Sequence, residues 1–182
     1  MAVVTLSNID DRLLDQVRAA ASRHRNSIED EIVETLRQRL PGSSFMMLER
    51  VTEGQAVTCA AGIEGLDGAA PVTIGACDNG LIYDSGALAA MLGPDGPDLI
   101  VWTVRGHKPA AEKPTSYGWV ETDDAGRIHG VRVKQVPDDP GTAAMIIGAF
   151  TFKRASDFSA AYERLIGRNA RVNGQFYVDS MV

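Results

Sequence analysis

At 182 residues, 45% of them hydrophobic and 23% charged, the chain has room for one ordinary domain, or for a small and a moderate one, and its composition excludes a disordered protein. A formal net charge of −6 and a pI near 5.0 exclude a basic footprint spread over the whole chain, so any DNA contact has to come from a local surface doubled by dimerisation. Cys59 and Cys77 form no CxxC pair and three histidines lie scattered, which argues against a zinc site or a disulfide framework and for reduced, mostly buried thiols in a cytoplasmic protein.

Residues 1–11 lack the basic and apolar regions of a signal peptide, and no apolar run approaches a membrane span, so no membrane association is expected. Residues 2–9 alternate apolar Val4 and Leu6 with polar Thr5 and Ser7, the pattern of a short two-faced strand. Asp10 and Asp11 open a helix whose apolar face is Leu13, Leu14, Val17 and Ala21. After the break at Arg25-Asn26, Ser27 caps a second helix with Asp30 three residues on; Ile28, Ile32, Val33, Leu36 and Leu40 form its stripe. Pro41-Gly42-Ser43-Ser44 ends that helix and begins a linker.

From Phe45 the pattern changes. Residues 45–51 read as a strand, and Thr52-Glu53-Gly54-Gln55 as a capping box opening a helix to about residue 63. The continuous apolar run at 71–76 predicts a strand buried on both faces, ending in the turn Cys77-Asp78-Asn79-Gly80. A short helix is expected at 84–92 and another buried strand at 98–104. Residues 117–122 and 127–134 flank Asp123-Asp124-Ala125-Gly126 as a hairpin. A further strand follows at 145–152. Ser156 then caps a helix whose face joins Phe158, Ala161, Leu165 and Ile166. Strands interleaved with helices in this way predict an α/β domain with a mixed, mostly parallel sheet.

The first forty residues cannot bury a useful core alone, but a strand and two amphipathic helices can do so as an intertwined homodimer. The strands would pair into a ribbon offering Thr5 and Ser7 twice to a DNA major groove, and the second helix's N-terminus at Ser27 could hold a phosphate. The stretch MAVVTLSNIDDRLLDQVRAAASRHRNSIEDEIVETLRQRL resembles the ribbon-helix-helix domains of bacterial antitoxins, the FitA-like type in particular. It departs from them at Ser7, where such proteins carry a basic residue, and at Arg25, where the inter-helix turn has glycine. The resemblance implies a DNA-binding or dimerisation segment at residues 1–40 and a linker at 41–44. The plain alternative is a dimerisation module without DNA binding.

In open α/β sheets, ligands sit beyond the carboxyl ends of strands, and a carboxylate there, such as Asp78, can hold Mg²⁺ against a phosphate. The plain alternative is a turn residue. The blocks TEGQAVTCAAGIEGLDGAAPVTIGACDNG, YGWVETDDAGRIHGVRVKQVP and IIGAFTFKRASDFSAAYERLIGRNARVNGQFYVDS, in that order, resemble nucleotidyltransferases that make activated sugars from a nucleoside triphosphate and a sugar phosphate. The resemblance covers residues 45–182 and implies an incomplete Rossmann-like domain. It puts Gly54 and Gln55 beside the nucleotide base and Asp78 on the Mg²⁺. It puts Tyr117 and Gly118 in the sugar pocket, Lys134 on the sugar phosphate, and Asn173, Gly174 and Gln175 near the sugar hydroxyls. The chain departs from the family at Gln175, where the family has Glu, and in lacking a GxGxR-like phosphate loop. The resemblance also places a second metal-binding Asp beyond Val182.

Three functions stay open on the sequence: a nucleotidyltransferase completed by a partner chain, a nucleotide- or sugar-phosphate-binding regulator on a DNA-binding dimer, and an inactive remnant domain.

Overall fold

The computed structural model describes residues 11–46, 48–76 and 80–182, with the backbone alone at 11, 13, 14 and 29. The strand expected at 2–9, with Thr5 and Ser7, therefore lies outside the described residues, as do Asp10, Cys77 and Asp78. Contacts divide the chain into two compact units, Met1–Val51 and Thr52–Val182.

In the first unit, helix α1 (Asp11–His24) and helix α2 (Ile28–Arg39) form a hairpin. Arg25 takes the left-handed φ of 59° that ends α1, and Asn26 N–H reaches back to the Ala21 carbonyl at 2.9 Å. Ser27 caps α2 as expected, its Oγ accepting from Asp30 N–H at 3.0 Å. Glu31 is 6% exposed; its carboxylate meets His24 Nδ1 at 2.8 Å and accepts from Asn26 Nδ2 at 3.1 Å. The His24 hydrogen bond holds that carboxyl below the usual range. Of the α2 stripe, Ile28, Ile32, Val33 and Leu36 are half-buried and Leu40 is exposed. Residues 45–46 and 48–51, expected to be strand, are not. Apolar, strand-like composition makes a strand only where a neighbour completes its hydrogen bonds, and among the described residues none pairs with this segment.

The second unit is α/β, built on five strands: β1 (Val72–Ile74), β2 (Leu99–Val104), β3 (Gly118–Thr122), β4 (Ile128–Val133) and β5 (Ala144–Phe152). Its order is β1-β5-β3-β4, with β2 along the other edge of β5. The expected mostly parallel sheet is corrected here, because every pairing is antiparallel. Strands β1 and β2 do run the same way, as a strand–helix–strand crossover predicts, but β5 lies between them and pairs with both. Its nine residues are almost all buried, the mark of a central strand. By contrast β1 alternates half-buried with exposed positions and β2 ends exposed, so neither is buried on both faces.

Helices α3 (Gln55–Ile63) and α6 (Ala155–Gly167) cover one face. There Ala56, Phe150, Phe152, Phe158, Leu165, Phe176 and Val178 form the main core, with the Phe152 and Phe158 rings edge to face at 5.2 Å. On the other face Trp119 packs with Met145 and with Ala110 of helix α5 (Lys108–Glu112). The short helix α4 (Ser85–Met91) starts at Asp84, whose Oδ1 accepts from Gly86 and Ala87 N–H groups. The hairpin between β3 and β4 turns where expected, with Asp123 Oδ1 accepting from Ala125 and Arg127 N–H groups.

Two caps differ from expectation. The N-cap of α3 is Gly54, and Thr52 Oγ1 bonds Gly54 O and Thr58 Oγ1 instead of capping. The N-cap of α6 is Arg154, with Ser156 inside the helix; the first N–H groups there, of Ala155 and Ser156, go to the carbonyls of Ala70 and Gly68. A neighbouring loop thus does what a side-chain cap was expected to do. Ile166 is 37% exposed and is off the buried face of α6. Among the described residues no helix is long and apolar enough to cross a membrane.

Candidate functional site

The C-terminal segment from Arg171 to Met181 organises the site. Asn173 and Gly174 both have positive φ, 50° and 78°, and the backbones of Val172 and Gln175 bond each other across them. This is a two-residue turn of the kind that Asn-Gly favours, so local geometry already accounts for that dipeptide. Phe176 then pairs like a strand with the Glu53 loop: its N–H donates to Glu53 O at 2.9 Å, and its carbonyl accepts from Ala56 N–H at 3.0 Å. Gly54, between these bonds, has φ 127°, and a Cβ there would lie 2.5 Å from Phe176 O. Only glycine fits. The Arg171 guanidinium lies over the Phe176 ring at 4.0 Å and pairs with the Glu53 carboxylate. Gly54 therefore stands against Phe176, the residue that follows the Asn173–Gln175 turn, although the two are more than a hundred residues apart in sequence.

Further along, the chain meets the sugar-pocket candidates. Asp179 is 9% exposed, and a Cβ on Gly118 would lie 2.0 Å from its Oδ2. Burial pushes the Asp179 carboxyl up, while the Lys134 charge pulls the other way. Lys134 sits at φ 56° just after β4, with its N–H on Tyr117 O at 3.0 Å. Its Nζ donates to Ser116 O and stands 5.4 Å from the centre of the Tyr177 ring. Tyr177 O–H in turn donates to Gln175 Oε1 at 3.1 Å. Ser180 Oγ is buried and has no hydrogen-bond partner among the described residues. Gly54, Gly118 and Lys134 are thus brought against the segment that carries Asn173 and Gln175. Gln55 opens helix α3 beside Gly54, and the Tyr117 ring instead packs on the Trp119 side of the sheet, against that cluster and His107. The sequence reading missed Asp179, Tyr177 and Ser116. Asp179 stands in an otherwise apolar-aromatic stretch, Phe-Tyr-Val-Asp-Ser, and that was its only signal.

Asp78 lies outside the described residues. The chain leading to it leaves β1 along β5: a Cβ on Gly148 would lie 3.2 Å from Ala76 Cβ. Two residues further along β5, Ile146 stands against Gly118. No group of three or more His, Cys, Asp or Glu able to hold a metal comes together among the described residues. Those residues alone supply no magnesium cage. Cys59 is half-buried, and burial pushes its thiol up to about 11, so it stays an unreactive thiol at neutral pH.

In the first unit, Ser27 is exposed, and its hydroxyl donates to Asp30 Oδ2 at 2.7 Å. Negative charge therefore already stands at the helix end that was expected to hold a DNA phosphate. The sequence matches no family model and no curated protein.

Proposed function

We propose that residues 52–182 form a nucleotide- and sugar-phosphate-binding domain of the nucleotidyltransferase kind, one that binds its ligands without completing the transfer. The carrying observation is that the Glu53–Gly54 loop, Gly118 and Lys134 all converge on residues 171–181. Lys134 spends one of its three donors on Ser116 O, which leaves the others for a phosphate. Gln175 uses Oε1 for Tyr177, which leaves its NH₂ group for a sugar hydroxyl. Asp78 would hold Mg²⁺, which would neutralise triphosphate charge when bound. In-line transfer to the α-phosphorus needs a loop that fixes the triphosphate, and this chain has no GxGxR-like stretch. A cytoplasmic setting, where these ligands are made, fits the reading.

The test is calorimetric titration of the whole chain with each common nucleoside triphosphate in Mg²⁺, and with glucose 1-phosphate. Triphosphate binding should be lost in Asp78→Asn and sugar-phosphate binding in Lys134→Ala. Absence of heat with every ligand would make this domain an inactive remnant.

One observation favours a second reading, a ribbon-helix-helix dimer acting on DNA as an antitoxin or transcriptional regulator. Arg25 adopts the left-handed turn that glycine would take between two such helices. A mobility shift on random-sequence DNA that survives in Lys134→Ala, and disappears in Thr5→Ala/Ser7→Ala, would support it.

A further inference from the structure

On the Trp119 side of the sheet, away from the face where Phe176 and Val178 pack, a cavity of about 330 Å³ opens between β3, β4 and the 137–144 loop. Three carboxylates line it, and all three are committed. Glu121 and Asp138 both pair with the Arg132 guanidinium, and Asp139 accepts from Gly141 N–H at 3.0 Å and from the Thr142 hydroxyl at 2.6 Å. Arg105 is in a different position. Its guanidinium is held by two neutral oxygens, donating to Thr142 O at 2.9 Å and to Thr122 Oγ1 at 3.3 Å. Among the described residues it forms no ion pair. It is an exposed cation, oriented by neutral acceptors, at the edge of the cavity.

We propose that this cavity binds a small hydroxylated molecule through an oxyanion group seated on Arg105. A guanidinium presents a planar fork that matches two oxygens of a carboxylate or a phosphate, and orientation by neutral acceptors lowers the ordering cost of using it. The surrounding carboxylates disfavour a bare anion and favour a ligand whose remainder donates hydrogen bonds. Thr122 Oγ1 and the second oxygen of Asp138, which Arg132 does not use, can accept from hydroxyl groups. The volume suits a ligand of a few carbons. This site is separate from the one organised by residues 171–181, and it would stand if that reading failed.

The experiment titrates the full chain with glycerol 3-phosphate, glycerate and glycerol. Either anion should bind measurably and glycerol should not; whichever anion is preferred identifies the oxyanion as phosphate or carboxylate. Arg105→Ala, compared with the parent in a Lys134→Ala background that removes the other phosphate candidate, should weaken that binding at least about tenfold, the loss of a charge-assisted bond. Arg105→Lys keeps the charge but loses the fork, and should show the same direction of loss if the alanine variant fails to fold. Absence of binding by both anions in the Lys134→Ala background, or equal binding there with and without the Arg105 substitutions, would each overturn the proposal.

Discussion

Asp179 keeps a carboxyl group almost out of water beside Gly118, and the nearby Lys134 charge answers it only in part. Because burial raises its folded-state affinity for a proton above that of the unfolded chain, ionisation costs stability. The sign follows: the cost is present above the raised folded value and is relieved as pH falls through it. Asp179→Asn should therefore raise the melting temperature at about pH 8, and the gain should shrink toward about pH 4 as the native carboxyl takes up its proton. Thermal melts of both proteins at the two pH values check this. An equal gain at both would mean that the substitution acts through packing rather than charge. The residue was easily passed over in the sequence for a physical reason. A lone Asp between Val178 and Ser180 has the look of a surface position, and its burial is created by a glycine sixty-one residues earlier whose missing Cβ leaves the space.

The elements that local pattern decides were legible. The β3–β4 hairpin, helix α4 behind Asp84, and β5 all appear where turn residues, caps and apolar runs placed them. What failed was what depends on partners. Residues 45–51 have strand-like composition, but among the described residues no strand pairs with them. The expected mostly parallel sheet failed because β5 inserts antiparallel between β1 and β2, and a buried run carries no mark of which neighbours it will take. The caps of α3 and α6 were misread because backbone from distant loops satisfies their first N–H groups. Helix α6 offers a test inside one element. Leu165 is buried in the main core, so Leu165→Ala should cost roughly 2–5 kcal/mol. Ile166, next to it but exposed, should cost at most about 0.5 kcal/mol as alanine. Urea denaturation of the two variants reads the difference. Equal midpoints would mean that α6 is not held to the sheet by its Leu165 face.

At the scale of the molecule, the two units differ in how far they complete their own cores. The Thr52–Val182 unit closes a core around Phe150, Phe158 and Val178, each at most 1% exposed. Among the described residues the α1–α2 hairpin does not: the Ile28, Ile32, Val33 and Leu36 stripe stays half-buried, and the buried positions are the small Ala21 and the hydrogen-bonded Glu31. A helical hairpin of this size cannot supply enough apolar burial to offset its chain entropy, so its stripe calls for another surface. A second copy of the same hairpin offers one of matching shape, and a twofold pairing closes without leaving a further apolar face to propagate. Light scattering of the whole chain should then give a mass near twice 19.5 kDa. Leu36→Glu, which puts a charge in the middle of the stripe, should return it to the single-chain mass while leaving the main unfolding transition of residues 52–182 in place. A wild-type chain that stays monomeric would mean that the hairpin's stripe is covered within one chain. The DNA reading would then lose the paired ribbon that brings Thr5 and Ser7 together, and with it the only basis on which a chain of net charge −6 could grip a duplex.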